Sequence, residues 1–444
     1  MIYIKDYLGL EIPIWMQSRK NLFLFFLFDF ILFIYIKTDS LNRINNRESI
    51  IINFLLAFFW CLSSYVIGKY SYFKSEAYLI NKIFNLIKSN LFSIIFIYLI
   101  DKVVIIYYPS LPPFTRDKIL LLGLISFLLQ FFKLYIYKLI NKRHFLYLSG
   151  SDSEINHFRN LSSEFPVIKN IQIIKSLTDI SNQFGKISVI IFNKNEKYKE
   201  IHKTYPKLEI EKFSPFRWCE KYINRIPSNY LTSNLYNKND WIFNSDSFQW
   251  RLKRFGDVAI SIFIIIFSLP LIIIFSLLIW LEDKGPIFYS QIRTGLNGKE
   301  FKLTKLRTMK QKAEISGAVW AAKYDKRITK IGSFLRRTRI DELPQLLSVL
   351  FGDMSLIGPR PERPEIEILL KENIPHYDLR NLIKPGLSGW AQVNYPYGSS
   401  VDDSEIKLTY DFFYIKNFSF WLDLLILFKT IRLVFRREGS LPIK

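Results

Sequence analysis

Residues 258–280 read VAISIFIIIFSLPLIIIFSLLIW, and whether this run crosses a bilayer decides the architecture of everything that follows. Its length falls in the range of about 17–25 residues that a spanning helix needs. Arg251, Lys253 and Arg254 precede it; Glu282, Asp283 and Lys284 follow it. Pro270 stands at its centre, where it removes a backbone hydrogen bond and clashes with the preceding turn, so a kink or a break is expected there. A straight span would carry the residues after Trp280 to the opposite side of the membrane. A run that kinks and returns would leave both charged flanks on one side.

Upstream lie four more apolar runs, Leu22–Ile36, Ile50–Ile67, Leu91–Tyr107 and Ile119–Ile140, each near spanning length. No small-residue cleavage site follows the first, so it is not read as a signal peptide. Lys5, Arg19 and Lys20 precede it, Lys69, Lys74, Lys82 and Lys88 separate the second and third runs, and Lys138, Lys142 and Arg143 close the fourth. The loops around 41–47 and 109–117 carry fewer cations, so the positive-inside rule places the N-terminus and everything after Arg143 in the cytoplasm. Asp29, inside the first run, is either a functional acid or an interhelical hydrogen-bonding group. The spans offer no evident pairs of ionisable residues, which argues against a transporter.

Composition narrows the remaining choices. The 444 residues carry 61 Lys and Arg against 39 Asp and Glu, a formal charge of +22, and 50% are hydrophobic, so a disordered chain is excluded. Cys61 and Cys219 are too few for a disulfide scaffold or a cysteine metal site. His144, His157, His202 and His376 show no metal-ligand spacing. A basic chain could bind nucleic acid, but no aromatic and basic interleaving of a known module is present.

From Phe145 the pattern turns to α/β. Residues 145–148 read as a strand, 152–164 as a helix and 187–192 as a second strand. Ser149, Gly150 and Ser151 end the first strand without the remaining glycines of a dinucleotide fingerprint, so no bound dinucleotide is expected. Residues 216–250 read as a linker.

The last polar stretch carries the candidate chemistry. Ile287–Arg293 and Phe301–Leu306 flank Asn297 and Gly298, a hairpin signal, and the second strand delivers Lys305 and Arg307. Lys330, Arg336, Arg337 and Arg339 crowd up to Asp341 and Glu342. Leu343, Leu346, Leu347 and Leu350 then recur with helical spacing, and Pro344 is tolerated in a first turn. A positive helix end would favour the ionised forms of both carboxylates and attract phosphate. One ionised carboxylate can attack phosphorus while a second holds Mg²⁺ against a pyrophosphate. Equally, Asp341 can be a helix cap and Glu342 a solvent-facing side chain. Arg360, between Pro359 and Pro361, suits bidentate phosphate contact but also suits an ordinary surface position. Residues 385–394, PGLSGWAQVN, read as a two-glycine turn. Residues 421–432 form an amphipathic helix suited to a membrane surface or to a domain core.

Taken in order, these segments resemble the bacterial sugar transferases, polyprenyl-phosphate phosphoglycosyl transferases that begin exopolysaccharide or O-antigen synthesis. The matching segments are Lys253–Asp257, Lys284–Tyr289, Lys305–Met309, Asp341–Gln345, Gly352–Glu365 and Pro385–Asn394. Four spans followed by a degenerate Rossmann-like domain look like the long form of the family. The resemblance implies that Asp341 is the nucleophile and Glu342 a Mg²⁺ ligand, with Lys305, Arg307, Arg336 and Arg360 binding phosphate or nucleotide. It also implies that 258–280 is a re-entrant helix kinked at Pro270. Two positions depart from the family pattern. Leu269, not Ser, precedes Pro270, and Tyr395 and Pro396 stand where many members carry GlyArg.

The expected architecture is four transmembrane helices in 1–143, a degenerate Rossmann-like α/β domain in 144–215, a linker in 216–250, and an α/β monotopic catalytic domain in 251–444. The expected reaction moves a sugar 1-phosphate from a UDP-sugar to undecaprenyl phosphate and releases UMP. It would run on the cytoplasmic face of the bacterial inner membrane through a phosphosugar on Asp341. The implied partners are UDP-sugar, undecaprenyl phosphate and membrane lipid, with no nucleic acid; a homo-oligomer is compatible with the sequence. A glycosyltransferase that moves sugar alone, and a membrane-anchored scaffold, are the alternatives. Every candidate catalytic residue follows Lys253, so residues up to about Ser245 are expected to be dispensable for the chemistry.

Overall fold

A computed structural model describes residues 20–38, 47–67, 69–70, 79–109, 114–140, 144–149, 158, 171–174, 186–191, 209–228, 231, 248–311, 325, 327–395 and 400–436. The chain divides into two compact units, one built from the residues up to Arg143 and one from His144 onward.

The first unit consists of α1 (Lys20–Thr38), α2 (Arg47–Ile67), α3 (Leu79–Tyr107) and α4 (Arg116–Ile140), which contain the four apolar runs. Consecutive helices pack side by side, and α1 also packs on α4. Phe33, Leu56, Trp60, Ile97 and Leu122 fill the centre, while Ile31, Leu55, Leu99 and Leu124 remain exposed on the outside. Helices that are apolar on both faces suit a lipid surround. Among the described residues, Ile50–Ile67 in α2 and Leu86–Tyr107 in α3 are long and apolar enough to cross a membrane.

The expectation that these spans lack ionisable pairs is overturned. Lys37 is ion-paired with Asp101, whose other oxygen accepts from the backbone N–H of Phe114 at 2.8 Å. Asp29 accepts from Tyr70 Oη at 2.6 Å and from Ser126 Oγ, and lies 3.3 Å from Lys69 Nζ. Trp60 presents its ring to the same ammonium at 4.8 Å. Asp29 thus ties α1 to α4 and to the residues after α2, and the hydrogen-bonding reading of this acid holds.

The second unit begins with a parallel sheet of β1 (His144–Ser149), β2 (Ile171–Ile174), β3 (Lys186–Ile191) and β4 (Glu209–Phe213), in the order β2–β1–β3–β4. Two of these strands were expected. Of the helix expected at 152–164, only Phe158 lies among the described residues, and it is helical.

The start of the expected linker is instead ordered and buried. Ser214 caps a short helix, α5 (Pro215–Trp218), which continues into a wider turn at Cys219–Ile223. The segment then lies against later helices, α10 (Trp390–Asn394) and α11 (Val401–Lys416). Asn224 O accepts from Trp390 Nε1 at 3.1 Å, and Arg225 Nε donates to Thr409 Oγ1 at 2.8 Å. Ile226 N donates to Thr409 O at 2.9 Å, and Glu220 receives Lys416 and Asn417 at 3.2 and 3.1 Å. Trp218 and Ile226 are fully buried. Period-based reading missed this strap because it has neither helical nor strand repeat.

Next comes α6 (Phe248–Asp283), a single helical segment with Pro270 inside it and long and apolar enough to cross a membrane. Its first turns are held by the domain that follows. Lys253 Nζ donates to Ile357 O at 2.8 Å and pairs with Asp423 at 2.7 Å, and Asp257 accepts from Leu356 N at 3.1 Å. Its last turns are held by the same domain: Ile279 is buried against Leu306 and Leu335, Phe275 stacks on Phe334, and Glu282 accepts from Lys330 N at 3.1 Å. Lys253 and Asp283 would be about 45 Å apart along a straight helix at ~1.5 Å per residue.

The domain itself opens with the hairpin β5 (Phe288–Thr294) and β6 (Glu300–Leu306), registered from Phe288↔Leu306 to Thr294↔Glu300. Asn297 and Gly298 both take positive φ, 54° and 76°, as the AsnGly signal requires. Next come α7 (Lys330–Thr338), a 3₁₀ turn at Ile340–Gln345, and α8 (Leu346–Phe351). One amphipathic helix from Asp341 was expected. Pro344 instead falls inside the 3₁₀ turn and the α-helix starts only at Leu346, which is buried while Leu347 is exposed. The remaining elements are β7 (Ser355–Ile357), α9 (Pro364–Asn373), a 3₁₀ turn at Tyr377–Leu382, β8 (Gly386–Ser388) and α12 (Phe420–Arg436). Leu422 and Ile426 of α12 are buried in the core, whereas Trp421 is exposed.

β7 and β8 pair in parallel through Ser355↔Gly386 and Ile357↔Ser388, bringing two of the sequence segments into backbone contact. A Cβ on Gly386 would stand 2.0 Å from Gly358 N, and one on Gly358 would stand 2.4 Å from Lys384 O. Gly386→Ala should therefore cost about 1–3 kcal/mol or more, as overpacking does. Thermal melting of the purified variant checks this, and an unchanged Tm would mean that the strands separate freely.

Candidate active site

A left-handed residue sets up the site. Arg339 at φ 60° ends α7 and turns the chain into the 3₁₀ segment, so Asp341 and Glu342 follow at once and pack against β6. Neither alternative reading of the pair survives. Asp341 caps no helix: Arg339 holds the cap position, with no side-chain capping bond. Glu342 does not face solvent: its Oε1 is 2.8 Å from Arg360 Nη2 and 3.4 Å from Arg339 Nη1.

Asp341 is buried, and its Oδ1 accepts no hydrogen bond among the described residues. Burial, and after it the charge of Glu342, pushes the Asp341 carboxyl up to about 6 against the pull of Lys305, Arg336 and Arg339. For Glu342 burial would also raise the value, but Arg360 and Arg339 outweigh it and hold the group at about 2. The expectation that both carboxylates are favoured as anions is thus corrected: only Glu342 is. Helix-end electrostatics had left out the cost of burial. Lys305 is pushed down to about 8 by burial, against the pull of Asp341.

Arg336 donates from Nε to Thr308 Oγ1 at 2.9 Å and acts electrostatically on Asp341, while Arg360 is partly exposed beside Glu342. Lys305, Arg336 and Arg360 therefore gather around the carboxylates. Arg307 does not join them. Its guanidinium pairs with Asp283 at the end of α6.

Two cations near the pair were given no site role from the sequence, although Arg339 was read as part of the basic run. Arg339 is one, and its i,i+3 spacing to Glu342 is a legible signal. Arg293 is the other. Tyr289, Gln291 and Arg293 alternate along one face of β5, Tyr289 is registered with Lys305, and the charge of Arg293 acts on Lys305.

A family model described as bacterial sugar transferase matches residues 248–437. The putative undecaprenyl-phosphate N-acetylgalactosaminyl 1-phosphate transferase of Bacillus subtilis (strain 168) is 55% identical over 129 residues, 29% of this chain and 72% of that protein. The chain belongs to the bacterial sugar transferase family. The UDP-N-acetylgalactosamine-undecaprenyl-phosphate N-acetylgalactosaminephosphotransferase of Aeromonas hydrophila is 45% identical over 189 residues, 43% of this chain and 45% of the relative. With the undecaprenyl-phosphate galactose phosphotransferase of Salmonella typhimurium the similarity is 33% over 327 residues, 66% of this chain and 62% of that protein. This last match covers more of the chain than the family model does, whereas the chain matches less than half the length of the Aeromonas relative.

Proposed function

We propose that this sugar transferase moves a sugar 1-phosphate from a UDP-sugar to undecaprenyl phosphate, releasing UMP, as the initiating step of exopolysaccharide or O-antigen synthesis. The observation that carries this reading is a buried carboxylate, Asp341, with an oxygen that accepts no hydrogen bond among the described residues and with Lys305, Arg336 and Arg339 around it. A carboxylate with a free oxygen in a cationic setting is an activated nucleophile for phosphorus. An Asp341 oxygen attacks the sugar-bearing phosphorus, and the bond from that phosphorus to the bridging oxygen breaks. UMP departs with the bridging electron pair, and the phosphosugar stays on Asp341. A phosphate oxygen of the lipid then attacks the same phosphorus, the bond to Asp341 breaks, and the diphosphate-linked sugar leaves. Lys305, Arg336 and Arg360 counter the charge that develops on the phosphoryl oxygens.

The donor set suits Mg²⁺. No group of three or more His, Cys, Asp or Glu gathers among the described residues, and Mg²⁺ is commonly bound by one or two carboxylates with phosphate and water. Glu342 would hold it beside the pyrophosphate, where the ion would neutralise charge on the departing UMP.

The re-entrant reading of 258–280 is supported by the two ends of α6 being held by one domain. Both ends then lie on the cytoplasmic face with the donor nucleotide. The parallel sheet β1–β4 reads as a degenerate Rossmann-like domain without a dinucleotide fingerprint.

Membranes containing the protein, given a panel of UDP-sugars and undecaprenyl phosphate, should release UMP. Release of UDP would identify transfer of the sugar alone and overturn the proposal. A pH dependence is expected from the same groups. Asp341 must be unprotonated to attack, so kcat/KM should fall as pH drops through about 6, and Lys305 loses its charge as pH rises through about 8. A flat profile from pH 5 to 9 would remove both groups from the mechanism.

A further inference from the structure

The loop that presents Arg360 to Glu342 has its carbonyls tied one by one. Pro359 O accepts from Gly386 N at 2.8 Å, and Glu362 O accepts from Thr294 N at 3.0 Å. Between them, the two carbonyls are held by arginine side chains. Pro361 O accepts from Arg293 Nη1 at 3.2 Å, and Arg360 O accepts from Arg380 Nη2 at 2.7 Å. Pro359 and Pro361 have no N–H, so this stretch of backbone cannot be anchored through those donors.

Arg380 is buried and cannot itself meet a substrate. It comes from the 3₁₀ turn Tyr377–Leu382, and its Nη2 also lies 3.1 Å from Asp411 of α11. Its Nη1 donates to Tyr377 Oη and lies 3.8 Å from Glu362. Both terminal nitrogens of the guanidinium fork are thereby engaged, with Asp411 and Glu362 balancing the charge. A lysine could not donate in these directions at once.

We propose that Arg380, oriented by Asp411, is a positioning residue that holds the Arg360 carbonyl and so keeps the Arg360 guanidinium on Glu342. The chain of contact is continuous: Asp411 to Arg380, Arg380 to the backbone of Arg360, and Arg360 to Glu342 at 2.8 Å, next to Asp341. The proposal rests on the reading of Asp341 and Glu342 as the reacting pair.

A double-mutant cycle in the full-length protein tests it, with UMP release from the UDP-sugar as the readout. Arg380→Lys should lower kcat by about 10- to 100-fold in the otherwise unaltered protein, in line with the coupling of residues in one network. In an Arg360→Ala background the same substitution should change kcat by less than about twofold, because the group it positions is gone. An equal loss in both backgrounds would make Arg380 a stability residue only and overturn the proposal; so would full activity of Arg380→Lys alone. Should Arg380→Lys fail to fold, Asp411→Asn, which keeps the shape, carries the same cycle with the same expectations. Asp341→Asn, run alongside, separates the two failures. Turnover by that variant rejects the reacting pair, whereas its inactivity with an additive cycle rejects Arg380 alone.

Discussion

Asp341→Asn should lose turnover by on the order of 10³-fold or more and, at the same time, melt at a higher temperature than the unaltered protein. The two effects share one cause. Burial and the neighbouring Glu342 raise the carboxyl to about 6, so its ionised form opposes folding at neutral pH. At ~1.36 kcal/mol per pKa unit, the relief on replacing it with an amide reaches about 3 kcal/mol. Because the folded value lies above the unfolded one, the cost is full above about 6 and disappears below the unfolded value near ~4, where both states carry the proton. The gain in Tm, about 2–4 °C per kcal/mol, should follow the same course with pH. No phosphosugar adduct should be trapped on the variant. An Asn variant with near-normal turnover would reject the covalent route, and a lowered Tm would reject the account of the buried charge.

The strap at 214–228 sets the second large effect. A fragment beginning near Ser214 should stay folded and release UMP, whereas one beginning near Phe248 should melt about 10 °C or more lower and lose most of its activity. The shorter fragment leaves the buried Trp390 N–H without Asn224 O, at a cost of about 1–3 kcal/mol, and uncovers the face that Trp218 and Ile226 bury. Equal melting temperatures for the two fragments would show that the strap contributes nothing. The boundary drawn from the candidate catalytic residues alone, near Ser245, leaves these contacts out of account. The candidate catalytic residues all follow Lys253, but the segment packed against their domain begins about forty residues earlier.

Much of the architecture was legible where a period or a turn carried it. The apolar runs, the hairpin at Asn297–Gly298 and two strands of the parallel sheet follow from local patterning. The paired carboxylates were found by their place in a basic run. Arg307 shows where local rules stop. Period two puts it on the face of Lys305, but β6 ends at Leu306, and beyond the strand the side chain turns to Asp283. Arg380 and Arg293 were invisible for another reason: they act on the site through the backbone of a loop 20 and 68 residues away in sequence. Likewise the partners of Asp29 and Lys37 lie on segments that only the packed helices bring close.

Those two pairs have a bearing on how the chain is made. Asp29 and Lys37 both ride on α1, yet Tyr70, Asp101 and Ser126 come 41, 64 and 97 residues after the groups they meet. At ~5–20 residues per second, Ser126 is translated about 5–20 s after Asp29. The charges that compensate Asp29 and Lys37 belong to Lys69 and Asp101, so α1 carries an unpaired charge until much of α3 has been made. The polar groups of α1 are therefore fully matched only once α2, α3 and α4 have all been made.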